Sequence, residues 1–166
     1  MMGTRLLTEH FIKRHFPNLR YVRVHTHGNH AATIYAWNED LQLQDNEMRN
    51  LRQFAGEYLY PYVCFQVKAY NMVQTDSVPQ VSEQELPQAL LKAALSRSLS
   101  QHRIIAVMDQ LFPSGKLSFI RYDTSTGTIH FECESPSPIS PGERELLHSY
   151  LAEMIPVGSL CEVTYL

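Results

Sequence analysis

Two stretches that read alike decide the fold: FPNLRYVRVHTHGNHAATIYAWNED, Phe16 to Asp40, and FPSGKLSFIRYDTSTGTIHFECE, Phe112 to Glu134. Each opens on Phe-Pro, alternates apolar and polar residues, turns near a glycine and alternates again. That is the period-two pattern of a half-buried β-hairpin. At a spacing of 98 residues Leu19 matches Leu117, Tyr21 matches Phe119, Val22 matches Ile120, Arg23 matches Arg121 and Thr26 matches Thr124. The turn holds Gly28-Asn29 in the first copy and Gly127 in the second.

The likeness continues on both sides. Downstream the spacing falls to 96, so that Leu43 matches Ile139, Glu47 Glu143, Leu51 Leu147, Phe54 Tyr150, Leu59 Ile155 and Val67 Val163. Upstream, Leu7, Phe11 and Ile12 play the part of Ile104, Val107, Met108 and Leu111, with spacings of three and four that place them on one side of a helix. Residues 102–112 also read as a strand that pairs with KLSFIRY; the match to the first copy favours helix.

These patterns predict an α+β protein made by internal duplication of an α-β-β-α-β unit, with antiparallel strands and helices on one face. The repeats span 1–72 and 102–166, joined by a linker, 73–101, with a helix of its own along Leu86, Leu90, Leu91, Ala94 and Leu95. Ser82 and Glu85 form its expected capping box. Pro17 and Pro113 close the first helix of each repeat. Asp45 and Ser140 are the expected caps of the second, with Pro141 at its first position and Glu47 and Glu143 in the first turn. Three strands with helices on one side bury little alone, so the halves are expected to join edges in one six-stranded sheet or to pack face to face. The other sheet face is then the place for a ligand, a partner or a second copy.

Bulk properties narrow the function classes. A chain of 166 residues, 44% hydrophobic and 19% charged, is globular in composition. The net charge of -3 lacks the broad positive field of a nucleic-acid or membrane binder. Residues 1–30 nevertheless carry +4, which leaves room for an anion site near the first helix and strand. Cys64, Cys133 and Cys161 form no Cys-x-x-Cys pair and lie in apolar runs, as buried thiols of a reducing, cytoplasmic compartment do. No apolar run is long enough to span a bilayer.

His25, His27 and His30 fall within six residues. In a strand the first two share a side with Tyr21 and Arg23, and His30 can swing back across the turn. Three readings fit. The imidazoles can hold Zn²⁺ or another divalent metal at about 2.0–2.1 Å; they can make a proton- or anion-sensitive contact; or they are the wet end of a hairpin. The second copy, with Asp123, Ser125 and Thr128 at the matching places, shows that the scaffold itself does not require histidine there.

Arg23 and Arg121, each two residues after an aromatic, Tyr21 or Phe119, form the stronger binding candidate, since a guanidinium beside an aromatic takes a carboxylate or a planar group. The plain alternative is an exposed strand arginine paired across to an acid such as Glu132. Tyr60 and Tyr62 flank Pro61 where a loop precedes the third strand and suit a pocket rim. No phosphate loop, nucleophile elbow or metal-protease motif is present, and no residue is assigned a catalytic role. The expectation is a non-enzymatic module that binds a protein partner or itself, as a homodimer, through a sheet face or an inter-repeat groove. A histidine-based metal enzyme or sensor, and anion or nucleic-acid binding by the basic N-terminal region, are the alternatives.

Overall fold

In the computed structural model, which describes residues 3–60, 62–79 and 85–166, the chain folds as two similar α-β-β-α-β units. The first comprises α1 (Arg5–His15), β1 (Leu19–Gly28), β2 (Ala31–Asn38), α2 (Asp45–Tyr58) and β3 (Cys64–Ala69). Two short helices follow, α3 (Met72–Thr75) and α4 (Gln88–Ala94). The second unit comprises α5 (Gln101–Leu111), β4 (Lys116–Asp123), β5 (Thr128–Glu134), α6 (Pro141–Ala152) and β6 (Leu160–Tyr165). Residues 101–111 are thus helix, as the match between copies predicts.

Each unit carries a mixed three-stranded sheet. β1 pairs antiparallel with β2, and β2 parallel with β3; β4, β5 and β6 repeat this order. The hairpin of each unit supplies the expected antiparallel pairing, and the third strand runs parallel because a helix crosses over between β2 and β3 and delivers the chain back in the same direction. The two sheets do not merge into one, and the units meet at their hairpin ends.

Helix boundaries follow local chemistry. Ser140 caps α6 by accepting from the Glu143 N–H, with Pro141 at the first position. Thr4 caps α1 and Ser100 caps α5. At α2 the cap is Gln44, one residue before the expected Asp45, and its backbone N–H donates to Glu47. Glu47 also accepts from the amides of Asn18 and Asn38, so it ties the helix start to both ends of the hairpin. The linker helix begins only at Gln88, after Pro87; Glu85 lies outside it, and Ser82 lies outside the described residues.

One core gathers Ile12, Val22, Val24, Ile34, Leu51, Phe54 and Val67 beneath the first sheet. The other gathers Leu90, Met108, Leu117, Phe131, Leu147 and Leu151 beneath the second. The cores interlock. Leu6, on the first unit's helix α1, belongs to the second core, and Val157, from the loop before β6, belongs to the first. Thr4 adds a bond from its hydroxyl to the Ala94 carbonyl at 2.6 Å, so the linker helix is fastened to the start of α1.

The hairpin ends complete the junction. Asn29 and His30, both with positive φ, make a two-residue turn of the kind that matches strand twist. The turn pair is therefore Asn29-His30 rather than Gly28-Asn29, because an irregularity after Thr26 draws Gly28 into the strand pairing opposite Ala31. The His30 N–H donates to the Gly158 carbonyl at 3.0 Å, and the Asn29 N–H to Thr126 at 3.2 Å. Gly158 has φ +88° and sits so close that a Cβ would lie 3.2 Å from the His30 Cα, which reserves the position for glycine.

Candidate functional site

The face of the first sheet away from its helices is covered by the chain itself. Tyr35, fully buried in mid-sheet, lies under Val73 and Val78, and its hydroxyl donates to Asp76 at 2.7 Å. Lys68 reaches the same carboxylate. Residues 70–79 therefore fill the surface expected to be free on the first unit. The corresponding face of the second sheet stays open, with Ser118, Ile120, Arg121, Glu134, Glu162 and Thr164 exposed.

This cover separates the two arginines. Arg23 pairs opposite Tyr35 on the covered face and is only 8% exposed, so it is not the surface strand arginine that its sequence position implies. Arg121 is exposed and faces His130 across the strands. Their aromatic neighbours diverge as well. The ladder is irregular after Leu19 in one copy and after Phe119 in the other, and such bulges reverse the alternation locally. Tyr21 lies on the outer face against Trp37 and Tyr70, whereas Phe119 packs against the core residue Phe131. Tyr60 is a core residue bonded to the Thr8 hydroxyl, and Tyr62 is half-buried against it, its hydroxyl pushed up in pKa chiefly by burial.

The histidines part in the same way. The rings of His25 and His27 meet edge to face at 5.0 Å, and His27 Nε2 lies 2.6 Å from the Thr33 hydroxyl. His30 instead points across the junction, with Nε2 at 2.9 Å from the Thr124 carbonyl and its ring against Tyr62. Among the described residues no group of three or more His, Cys, Asp or Glu side chains is placed to hold a metal. Half-buried His25 has its pKa lowered by burial first, then by His27, Arg23 and Arg5.

What the molecule does assemble is a buried charged cluster at the seam, and sequence reasoning missed most of it. Arg5 on α1 donates Nη1 to Glu9 at 2.9 Å and Nε to Glu153, at the end of α6, at 3.0 Å. Glu9 Oε1 also accepts the Val24 N–H at 2.9 Å, which satisfies the outer edge of β1. Burial is the largest influence on Glu9 and pushes its pKa up against the pull of these partners. Arg23 lies 3.7 Å from the same oxygen, beyond hydrogen-bond reach, and donates Nη2 to the Pro79 carbonyl at 2.9 Å. Its Nε and Nη1 are enclosed with no acceptor among the described residues. A buried donor left unpaired costs about 1–3 kcal/mol, so this residue is under-satisfied by the fold. The one sequence signal was Glu9 itself, an acid four residues after Arg5 within an apolar helix face.

Arg5, Arg23 and Ser159 line a cleft of about 790 Å³ between the two units. Its lining also includes His25, Thr26 and Pro79 and, from α6 to the start of β6, Leu146, His148, Ile155 and Leu160. Leu146 and Leu160 are 44% and 46% exposed, two of the few large apolar side chains that face solvent. The Ser159 hydroxyl, like the Arg23 nitrogens, is enclosed without a partner among the described residues. The basic excess of residues 1–30 is partly committed here: Arg5 and Arg23 enter this seam, and Arg20 pairs with Glu39.

Comparison with protein families, with curated proteins and with solved structures finds no match to this chain. No helix among the described residues is long and apolar enough to cross a membrane.

Proposed function

We propose that this chain is a non-enzymatic recognition module that takes its ligand in the cleft between its two repeats. The observation that carries the reading is the cleft of about 790 Å³ at the seam, lined by residues of both units and holding buried donors that have no partner among the described residues. Ligand sites are commonly clefts of roughly 300–1,000 Å³, mostly apolar with a few placed polar groups, and they favour junctions of this kind. The charged groups of the seam serve to hold the halves together and to present one under-satisfied arginine. A neutral apolar dye such as Nile red tests the reading. It should bind the native protein saturably at one site, and Leu146→Trp, which fills the cleft from an exposed wall, should abolish that binding. No binding, or binding indifferent to Leu146→Trp, would remove the proposal.

A second reading, self-association, draws on the open face of the second sheet, where Ile120 at the ladder irregularity is 46% exposed beside Arg121 while the first unit's matching face is covered. Sedimentation of the native protein and of Ile120→Lys decides it. A dimer that the substitution dissociates supports this reading, and a native monomer excludes it.

A further inference from the structure

We propose that the ligand of the cleft is an amphiphilic carboxylate, its acid group seated on Arg23 and its apolar body lying along Leu146, Ile155 and Leu160. This rests on the cleft being the working site and adds the chemistry of what enters it.

The acid group follows from how the buried charges are shared. Arg5 occupies both carboxylates of the seam, donating to Glu9 and to Glu153. The Glu9 oxygen nearest Arg23 already accepts from Arg5 and from the Val24 N–H. Among the described residues Arg23 is therefore a buried cation with donors to spare, and its hydrogen bond there goes to a neutral carbonyl, that of Pro79. The Nε edge of a guanidinium matches the two oxygens of a carboxylate. An entering carboxylate would pair with Nε and take Nη2 in place of the Pro79 carbonyl. Ser159, whose enclosed hydroxyl lines the same cleft, supplies a further neutral donor.

The charge of the ligand is limited by the rim. Glu85 and Glu162 line the cleft, so a dianionic phosphate meets repulsion that a single negative charge tolerates better. The apolar body follows from the volume, far larger than a carboxylate needs, and from the exposed Leu146 and Leu160 in the same lining as Arg23. Covering them is what an alkyl chain would gain.

Titration calorimetry of the full chain with octanoate, 1-octanol and octylammonium tests the assignment. Octanoate should bind one to one, octylammonium should not bind, and octanol should bind at least tenfold more weakly than octanoate. Leu146→Glu takes an apolar contact from both ligands but adds a charge that repels only octanoate, so it should weaken octanoate at least tenfold more than it weakens octanol. Arg23→Lys should also weaken octanoate at least tenfold; should that variant fail to fold, Leu146→Glu alone decides. Octanol and octanoate binding equally, with Leu146→Glu affecting both alike, would overturn the carboxylate while leaving the cleft as a binding site. Binding of none of the three would overturn this assignment, and the Nile red result would then say whether the cleft reading falls with it.

Discussion

His30 in the first hairpin and Gly127 in the second hold the same backbone position. Both have positive φ, 62° and 69°, and the carbonyl of each accepts from the first residue of the third strand of its own unit, Cys64 at 2.7 Å and Leu160 at 2.9 Å. The first copy thus puts a side chain where the second puts none, and that side chain reaches across to Thr124. Gly127 has no such freedom to change: a Cβ there would lie 3.3 Å from the Gly158 carbonyl oxygen and from the His30 ring. Gly127→Ala is expected to lower stability in urea by about 1–2 kcal/mol, the cost of a left-handed non-glycine residue. Gly56→Ala, inside α2 with open space around it, should instead raise stability by about 0.5–1 kcal/mol.

Leu6 is fully buried in the core of the opposite unit. Leu6→Ala should cost about 2–5 kcal/mol by equilibrium denaturation, as deletion of a buried leucine side chain does. The loss should be felt in the second unit, although the residue belongs to the first.

Cys64 is exposed, against the expectation of three buried thiols, because it opens an edge strand beside the turn. Cys133 and Cys161 are buried, and burial pushes the Cys161 thiol up to about 12. A thiol-reactive chromogenic disulfide should label one cysteine quickly in the native protein and all three after unfolding.

The Tyr35 hydroxyl and Lys68 hold Asp76 below its ordinary value of 3.8. A carboxyl depressed in the folded state contributes stability above its unfolded pKa, and that contribution is lost as pH falls through the folded value. Acid titration followed by near-ultraviolet circular dichroism should show the 70–79 cover loosening below the ordinary aspartate range. Asp76→Asn should flatten that part of the profile.

Much of the fold was readable because helix and strand periodicities are local, and the duplication doubled each signal. The parallel third strand was implied by the strand-helix-strand connection, yet it leaves no mark in composition. What stayed hidden depends on contacts distant in sequence. Ladder irregularities near Arg20 and Ile120 set Tyr21 and Phe119 on opposite faces although the two align perfectly along the chain. Arg23 is buried because residues 70–79 fold back over it, and no strand pattern announces that. Aligning His30 with Thr128 missed by one residue its true counterpart, Gly127, since the two turns differ in length. The seam cluster joins Arg5 to Glu153 across most of the chain, beyond the reach of any motif.

That two copies lock into one body, with the cleft at their seam, can be tested in a single denaturation series. Trp37, the one tryptophan, reports on the first unit, and protection of Cys133 and Cys161 from thiol labelling reports on the second. Fluorescence and labelling followed through the same urea range should trace superimposable transitions. Two separated midpoints would mean that the units unfold independently, and would contradict the account.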